Sequence, residues 1–384
     1  FGSRILGDLP SHIPGPTNMV ARIELTHTQA AMLLALGLPC VLIHLLDYTG
    51  STSSQAFRRD VVALEMFSGS SGVYSAFRRS GMTAARYDIA LDADSMDFTT
   101  VYGYIVALQY LLRVRVGGLL FGGLPCSLHV WMSRGTSKKT RANPRGLLGG
   151  GLGFAADCVK VANLIAARYA IMALISLVRS IFWLTEQPSS SVAQFLPYIV
   201  HALHPDQMMV GFAGAVIQRM WMGLFGHRSL KRTVLWGNWP YAHLFSLQSH
   251  ITRADRERFK WNSAGNTTIS KTRDGKKNVS GGKKLRSTQE YPMPFCSRIA
   301  SYHKRYCIEP GTIPMRPDQQ DLEHGPHGFA PPDLWDDAGL EPFVDFLKAE
   351  MQQGRFKPRW PDVPFTCAPM SREMVGIFFS TLKG

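Results

Sequence analysis

Between Val61 and Pro188, short apolar runs of strand length alternate with stretches of helical periodicity. The predicted strands are VVALEMF, AARYDI, LLFGG and IFWLTEQP, at 61–67, 84–89, 119–123 and 181–188. The predicted helices between them cover 73–81, 100–114 and 155–180. Strands that alternate with helices favour a parallel sheet covered by helices on both faces. The predicted fold class is therefore α/β with a mostly parallel sheet.

Two late strands are expected at 215–222 and 231–238, close enough together to form an antiparallel pair. Further helices are expected at 191–203 and 291–306. The chain divides into an N-terminal extension (1–60), a main α/β domain (61–308) with a basic insert (253–286), and a Pro-rich C-terminal extension (309–384).

The uncharged apolar run from Ala30 to Leu46 allows two interpretations. It is slightly shorter than the ~20 apolar residues that a membrane-spanning helix requires, and Gly37, Pro39 and His44 interrupt it. The preferred interpretation is a buried pair of helices, the first of which ends because of Pro39. A membrane anchor is the alternative.

The chain is strongly basic, with 42 Lys and Arg residues against 28 Asp and Glu residues and a formal net charge of +14. From Arg253 to Arg286, eleven basic residues stand against three acidic ones, so this segment carries over half of the net charge. Such a density fits a polyanionic partner, because basic side chains displace its counterions. The segment is also rich in Gly, Ser, Asn and Thr, so a solvated disordered loop is an equal alternative.

Six cysteines are spread along the chain without a CxxC pair and without histidines at metal-ligand spacing. This usage predicts a reduced intracellular compartment, with the nucleus as one candidate, and no structural metal. One cysteine, Cys126, stands directly behind a proline at the end of a predicted strand.

Cys126 belongs to the stretch GGLPCS, where Pro125 restricts the local backbone. A side chain at the carboxyl end of a parallel strand faces the crevice in which open α/β sheets bind their ligands. The following loop would favour the reactive thiolate, since it carries basic residues and no acidic one. Its basic residues are Arg134, Lys138, Lys139, Arg141 and Arg145. Cys126 is thus a candidate nucleophile, and a small buried hydrophobic side chain is the alternative.

Glu186 ends the next predicted strand, and neighbouring parallel strands bring their carboxyl ends to the same edge of the sheet. Cysteine and carboxylic acid are therefore expected to converge. An ordinary glutamate beside a loop is the alternative, but Pro188 and the apolar residues before Glu186 argue against a solvated position.

The turn FSGSSG, at 67–72, follows the first predicted strand. Its glycines let a ligand approach the backbone, and the helix behind it offers free N–H groups. Asp88, at the end of the second strand, is placed to accept the two hydroxyls of a ribose. Asp97 is placed to hold an adenine amino group. Helix capping or turn formation is the alternative role of both aspartates.

Seven stretches in order resemble motifs of the DNA (cytosine-5) methyltransferases, a branch of the class I S-adenosylmethionine-dependent methyltransferases. They are FSGSSG, YDI, MDF, GGLPCS, TEQP, KRTVLWGN and YPMPFCSRIA, and they span about two-thirds of the chain. The resemblance implies S-adenosylmethionine as cofactor and a class I methyltransferase fold. The implied cofactor-binding residues are Phe67, Ser68, Gly69, Gly72, Asp88, Ile89, Asp97, Pro125 and Tyr291. The implied catalytic residues are Cys126 as nucleophile, Glu186 as its acid partner, and Arg232.

The resemblance also implies a nucleic-acid partner, for which DNA is the first candidate and RNA the second. It implies that the loop after Cys126 closes over an extruded base. The expected nucleic-acid-binding residues are Arg134, Lys138, Lys139, Arg141, Lys276, Lys277, Lys283 and Lys284. The sequence departs from the family in Ser127, where glutamine is common, and in Gln187-Pro188, where the family has Asn-Val. It has only a small basic insert where the family carries a target-recognition domain.

Two other functions stay open. The stretch NWPY, beginning at Asn238, resembles the Asn-Pro-Pro-Tyr motif of amino-methyltransferases, which need no cysteine. A non-catalytic protein that binds nucleic acid, or serves as a scaffold on the same fold, is the third hypothesis.

Overall fold

The computed structural model of the protein contains a six-stranded sheet flanked by helices. The structure describes residues 25–51, 59–130, 133–146, 153–204, 215–248, 251–262, 267–271, 275, 277–281, 289–309, 331 and 333–381. The strands of the sheet are β1 (Val61–Met66), β2 (Ala84–Tyr87), β3 (Val114–Gly122), β4 (Phe182–Pro188), β5 (Val216–Trp221) and β6 (Arg232–Gly237). Their order across the sheet is β2, β1, β3, β4, β6, β5.

Strands β1 to β4 are parallel to one another, whereas β6 runs antiparallel to both of its neighbours, β4 and β5. The prediction of a mostly parallel sheet with a late antiparallel pair is therefore confirmed. The chain is a mixed α/β protein.

Helices lie on both sides of this sheet, as predicted. They are α1 (His27–Ala35), α2 (Cys40–Ser51), α3 (Gly72–Arg79), α4 (Val101–Arg113), α5 (Arg134–Ser137), α6 (Gly153–Val178), α7 (Pro197–Leu203), α8 (Arg253–Asn262), α9 (Met293–Ile308), α10 (Glu341–Gln352) and α11 (Arg372–Thr381). The basic insert contributes α8 and a separate hairpin of β7 (Thr267–Lys271) and β8 (Lys277–Gly281).

Both faces of the sheet are buried, because successive side chains of a strand point to opposite sides. In β3, Leu119 and Phe121 join a core formed with α3 and α9. Leu120, between them, joins the larger core on the opposite face, which includes residues of α1, α2, α4, α6, α7, α10 and α11. The N-terminal and C-terminal segments thus share one core with the sheet.

The apolar run near the N-terminus forms two buried helices, α1 and α2, which confirms the preferred interpretation. The first helix ends at Ala35, where the chain turns through Gly37 in a left-handed conformation (φ 74°). The prediction that Pro39 ends α1 is therefore wrong, since Pro39 directly precedes α2.

Among the described residues, one helix, α6, is long and apolar enough to cross a membrane. In this protein 83% of its apolar window is buried against other elements, as in the core helix of an α/β protein.

One local prediction is corrected by the structure. The segment 191–203 is not one helix: a short 3-10 turn, Ala193–Phe195, precedes α7, which begins at Pro197. Proline fits the first turn of a helix, where its missing N–H costs nothing, but it cannot continue the turn before it. Between β2 and α4 the chain forms only turns, so Asp97 follows Asp88 closely.

Candidate active site at the carboxyl edge of the sheet

The carboxyl ends of β1 to β4 gather most of the predicted site residues. The turn after β1 is tied to β2 by a hydrogen bond from Ser68 N to Tyr87 O (3.2 Å). It is tied to the end of β3 by another from Gly123 N to Met66 O (3.2 Å). These bonds place the FSGSSG turn beside Asp88 on one side and the Pro-Cys loop on the other.

The FSGSSG turn has an unusual backbone. Phe67, Gly69 and Ser71 all have positive φ angles, of 56°, 46° and 58°. Residues other than glycine hold such a conformation only where surrounding structure enforces it, and such residues cluster at functional sites. A Cβ at Gly69 would have no neighbour within 4 Å, so the backbone there faces open space.

Glu65, on β1, holds the helix that follows this turn. Sequence analysis did not assign this role. The buried Glu65 carboxylate accepts hydrogen bonds from the N–H groups of Val73 (3.3 Å) and Tyr74 (2.7 Å), in the first turn of α3. Burial raises the pKa of Glu65 to about 7, although the two N–H groups act in the opposite direction. A single acidic residue within the apolar strand VVALEM is the sequence signal that could have indicated a buried role for Glu65.

Asp88 supports the same turn from the end of β2. Its Oδ2 accepts from Gly69 N (2.8 Å) and its Oδ1 accepts from Ala90 N (2.8 Å). Next to it, Ile89 and Leu91 are large apolar side chains that are 53% and 39% exposed. An acidic group beside an open glycine and an exposed apolar side chain can hold a nucleoside through its ribose and its flat base.

Asp97 lies in a turn that leads into α4. Its Oδ1 accepts from the N and Oγ1 of Thr99 (2.9 and 2.7 Å), and its carbonyl accepts from Thr100 Oγ1 (2.9 Å). Thr100 in turn caps α4 by accepting from Gly103 N (3.0 Å). The turn-forming role that was the alternative for Asp97 is therefore present.

Glu186 lies at the centre of a compact polar cluster. Tyr291 donates its hydroxyl hydrogen to Glu186 Oε2 (2.9 Å), and Lys231 Nζ lies 3.3 Å from Oε1. The Lys231 ammonium also lies 5.5 Å from the centroid of the Tyr291 ring. A Cβ at Gly123 would come within 2.5 Å of the Tyr291 hydroxyl, so the glycine after β3 makes room for this tyrosine.

Cys126 belongs to the same cluster, because its thiol interacts electrostatically with Glu186 and Lys231. Burial, and then the Glu186 carboxylate, raise the pKa of this thiol, while the Lys231 ammonium acts to lower it. The resting thiol is therefore protonated at neutral pH. The expectation that basic residues of the following loop activate Cys126 is not met.

The partners of those loop residues explain this outcome. Arg145 forms an ion pair with Asp337 (3.0 Å). The guanidinium of Arg141 lies over the ring of Phe195, at 5.0 Å from its centroid. Lys139 is only 1% exposed. The cation that acts on Cys126 is Lys231, which the sequence analysis did not single out.

The structure corrects the expectation for Arg232. Its side chain is exposed, and its guanidinium lies 5.7 Å from the centroid of the Trp221 ring rather than beside Glu186. Consecutive residues near a strand point in different directions, so a step of one residue changes which basic side chain faces the site. The two adjacent basic residues in KRTVLWGN could have indicated both candidates.

Gln187, a departure from the family pattern, has a structural role here. Its amide nitrogen donates to the carbonyl of Leu124 (2.7 Å), and its amide oxygen accepts from Ser191 Oγ (2.9 Å). The first of these bonds links the end of β4 to the loop that carries Pro125 and Cys126. The loop is therefore held against Glu186.

Lys139 is buried and does not lie on a nucleic-acid-binding surface, contrary to prediction. Its Nζ lies 3.2 Å from His129 Nδ1 and donates to Asn163 Oδ1 on α6. Burial lowers the pKa of Lys139 to about 7. It also lowers the pKa of His129 to about 3. Sequence analysis missed this because a buried and an exposed lysine look alike in a basic loop.

Replacing Lys139 with methionine is expected to remove a pH-dependent term from stability. Between about pH 7 and pH 10, the unfolded chain holds a proton on Lys139 that the folded chain has lost, so this group makes wild-type stability rise with pH. The free energy of unfolding of wild type, relative to Lys139→Met, should rise by on the order of 2 kcal/mol over this range. Urea unfolding at several pH values measures it. The exposed neighbour is the control, and a Lys138→Met variant that shows the same difference would contradict the assignment.

The structure describes only some of the other predicted nucleic-acid-binding residues. Arg134, Lys138 and Arg141 are exposed around the short helix α5. Lys277 lies in β8, and its side chain is not described. Three lie outside the described residues, namely Lys276, Lys283 and Lys284.

The stretch NWPY lies at the opposite edge of the sheet from Cys126. Asn238 Oδ1 accepts from Trp183 N (2.7 Å), at the beginning of β4, whereas Glu186 lies near its end. Three residues of strand separate the two positions, or about 10 Å. The Asn238 side chain is thus engaged in the fold at a distance from the polar cluster.

Among the residues that the structure describes, no three His, Cys, Asp or Glu side chains group as metal ligands would. No model of a known protein family matches the chain, and no curated protein matches it. The interpretation of the site therefore depends on its own geometry.

Proposed function

We propose that the protein is an S-adenosylmethionine-dependent methyltransferase that methylates C5 of cytosine in nucleic acid. DNA is the first candidate substrate and RNA the second. The observation that carries the proposal is the convergence of Cys126 and Glu186 beside the FSGSSG turn and Asp88, at one edge of the sheet. A nucleophile, an acid partner and a nucleoside-binding turn are the three parts that this reaction requires.

The fold supports the proposal. The sheet is mostly parallel, carries helices on both faces and has a late antiparallel pair, β5 and β6. These are the features expected of a class I methyltransferase. The quoted motifs FSGSSG, YDI, GGLPCS and TEQP, distant in sequence, meet at the carboxyl edge, where open α/β sheets bind ligands.

The residues at the FSGSSG turn fit an adenosyl cofactor. The open backbone at Gly69 would admit its methionine part, and Asp88 keeps lone pairs for the ribose hydroxyls beyond its two backbone bonds. The exposed side chain of Ile89 would cover one face of the adenine. The bound cofactor would supply an electrophilic methyl group.

In this proposal Cys126 is the nucleophile. Its thiolate would add to C6 of the cytosine, which moves electron density to C5. C5 would then take the methyl group from the donor sulfonium, which becomes a neutral thioether. Water or hydroxide would remove the C5 proton, and the electron pair of that C–H bond would expel the Cys126 sulfur from C6 as a thiolate, which restores the aromatic ring. Because the resting thiol is protonated, its proton must leave before the addition.

Glu186 in its protonated form would donate a hydrogen bond to N3 of the base and accept one from the neighbouring amino group, and so orient C6 toward the sulfur. Tyr291 and Lys231 hold its two oxygens in place. The base must first leave a duplex, at a cost of a few kcal/mol. The exposed cations Arg134 and Lys138 lie in the loop after Cys126, where they can contact the phosphates.

A methyl-transfer assay tests the proposal. The full chain is incubated with S-adenosylmethionine carrying a labelled methyl group and with cytosine-containing DNA or RNA, and the nucleosides are separated after digestion. Label in 5-methylcytosine is the expected result. Label only on an exocyclic amino group, or none with a folded protein that binds the cofactor, would overturn it.

Replacing Asp88 with alanine is expected to weaken S-adenosylmethionine binding by about 10-fold to 100-fold, because a hydrogen bond to a charged group contributes roughly 1.5–3 kcal/mol. Calorimetric titration of the full chain measures this. An Asp92→Ala variant, which changes an exposed aspartate of the following turn, is the matched control. Equal affinities in wild type and Asp88→Ala would remove Asp88 from the cofactor site.

A nucleic-acid-binding protein without catalysis is the second candidate. The raised pKa of the Cys126 thiol favours it, since the protonated thiol is a poor nucleophile. Salt-dependent binding of DNA or RNA by a folded protein that shows no affinity for S-adenosylmethionine would support this candidate.

A further inference from the structure

Lys231 is the basic side chain that faces the polar cluster around Glu186. It lies at the bend before β6, and its side chain is 16% exposed, against 5% for Glu186. Its Nζ contacts Glu186 Oε1 at 3.3 Å and lies over the Tyr291 ring. One ammonium therefore pairs with the Glu186 carboxyl group and lies over the ring of Tyr291.

The backbone at Lys231 is strained. Its φ of 31° lies in the left-handed region that favours glycine, yet the residue is a lysine. The strand neighbours hold it there, with Met222 N donating to the Lys231 carbonyl (3.0 Å). Strain kept in place by surrounding structure is typical of residues whose side chains must be aimed.

The charged groups around the Cys126 thiol come from four elements. Glu186 is on β4, Lys231 precedes β6, and Tyr291 precedes α9. Glu65, on β1, interacts with Tyr291 rather than with the thiol. Of the groups that interact with the thiol itself, Glu186 opposes the thiolate and Lys231 favours it.

We propose that Lys231 is a positioning residue that holds the Glu186 side chain in place and promotes ionisation of the Cys126 thiol. In the resting protein its ammonium is shared with Glu186, so the thiol keeps its proton. When Glu186 takes up a proton to bind N3 of the base, its negative charge is lost and the Lys231 ammonium is left to stabilise the thiolate. Ionisation of the nucleophile is thereby coupled to occupation of the substrate site. This inference deepens the proposed function and depends on it for the identity of the base.

Alkylation of Cys126 tests the inference without cofactor or nucleic acid. The full chain is treated with iodoacetamide from pH 6.5 to 10, and modification of the Cys126 peptide is followed by mass spectrometry, with Cys126→Ser as the blank. Only the thiolate reacts, so the rate reports the ionised fraction.

Lys231→Met is expected to slow alkylation of Cys126 at pH 7.5 by about tenfold, the effect of one pKa unit. Glu186→Gln is expected to accelerate it by a similar factor, because the opposing charge is removed. Lys231→Arg should stay close to wild type. The matched control is Arg232→Met, which removes the adjacent basic side chain that lies over Trp221, and it should change the rate less than about twofold.

Equal rates in Lys231→Met and Arg232→Met would overturn the inference, as would a Glu186→Gln variant no faster than wild type. Thermal unfolding shows whether each variant is folded. If Lys231→Met does not fold, Lys231→Arg and Glu186→Gln decide the question: a wild-type rate in the first with a faster rate in the second supports the inference, and a Glu186→Gln rate no faster than wild type overturns it. Failure of methyl transfer with the expected alkylation profile would overturn the proposed function and leave the role of Lys231 standing.

Discussion

Serine in place of Cys126 is expected to abolish methyl transfer while leaving S-adenosylmethionine binding within about twofold of wild type. A serine hydroxyl is a far weaker acid than a thiol, and Glu186, which opposes negative charge at this position, would suppress its ionisation further. The loss should be at least about 10³-fold, in keeping with the removal of a nucleophile. The cofactor residues at the FSGSSG turn and Asp88 are untouched by this change.

The measurement combines labelled methyl transfer with calorimetric binding of the cofactor. A Cys158→Ser variant is the matched control, because that cysteine is also partly exposed but lies on α6. A cytosine with fluorine at C5 adds a second readout, since loss of the C5 proton becomes impossible and the bond from sulfur to C6 persists. Undiminished transfer by Cys126→Ser would exclude the thiol mechanism.

Glutamine in place of Glu186 is expected to lower the rate of methyl transfer by about 10²-fold to 10⁴-fold, the range for removal of an acid-base group. The same change is expected to speed alkylation of Cys126, because the thiol loses its negative neighbour. Opposite effects on transfer and on thiol reactivity separate a role in orienting the base from simple damage to the site.

Transfer and alkylation are measured on the same preparations of Glu186→Gln. Glu290→Gln is the control, because Glu290 is exposed and precedes the tyrosine of the cluster. If Glu186→Gln transfers methyl groups at the wild-type rate, the carboxylate has no part in the reaction. If its alkylation also slows, the glutamate acts by holding the Pro-Cys loop.

The sheet could be predicted because its central strands are short, continuously apolar runs, whereas the stretches between them have helical periodicity. Leu119 to Phe121 send alternate side chains to two cores, so the run had to be apolar throughout. Segment 191–203 was misassigned because its apolar pattern hid the break at Pro197. Propensity and periodicity do not resolve such a break.

Cys126, Glu186 and Asp88 could be expected at one edge, since each lies near or just after the carboxyl end of a parallel strand. Lys231 and the burial of Lys139 could not, because both depend on contacts between distant elements. Lys231 contacts Glu186 because of the path of the chain just before β6. Lys139 is buried because its ammonium is bound by His129 and Asn163. The sequence of a basic loop does not show which of its side chains point into the protein and which point to solvent.

Binding of S-adenosylmethionine to the full wild-type chain, measured by isothermal titration calorimetry, is the most direct test that the turn after β1 is a cofactor site. We expect one site with a dissociation constant in the micromolar range, a binding free energy of about −8 kcal/mol, and competition by S-adenosylhomocysteine but not by adenine alone. Absence of binding by a protein that unfolds cooperatively would contradict it, and would leave the Cys126 cluster without a methyl donor.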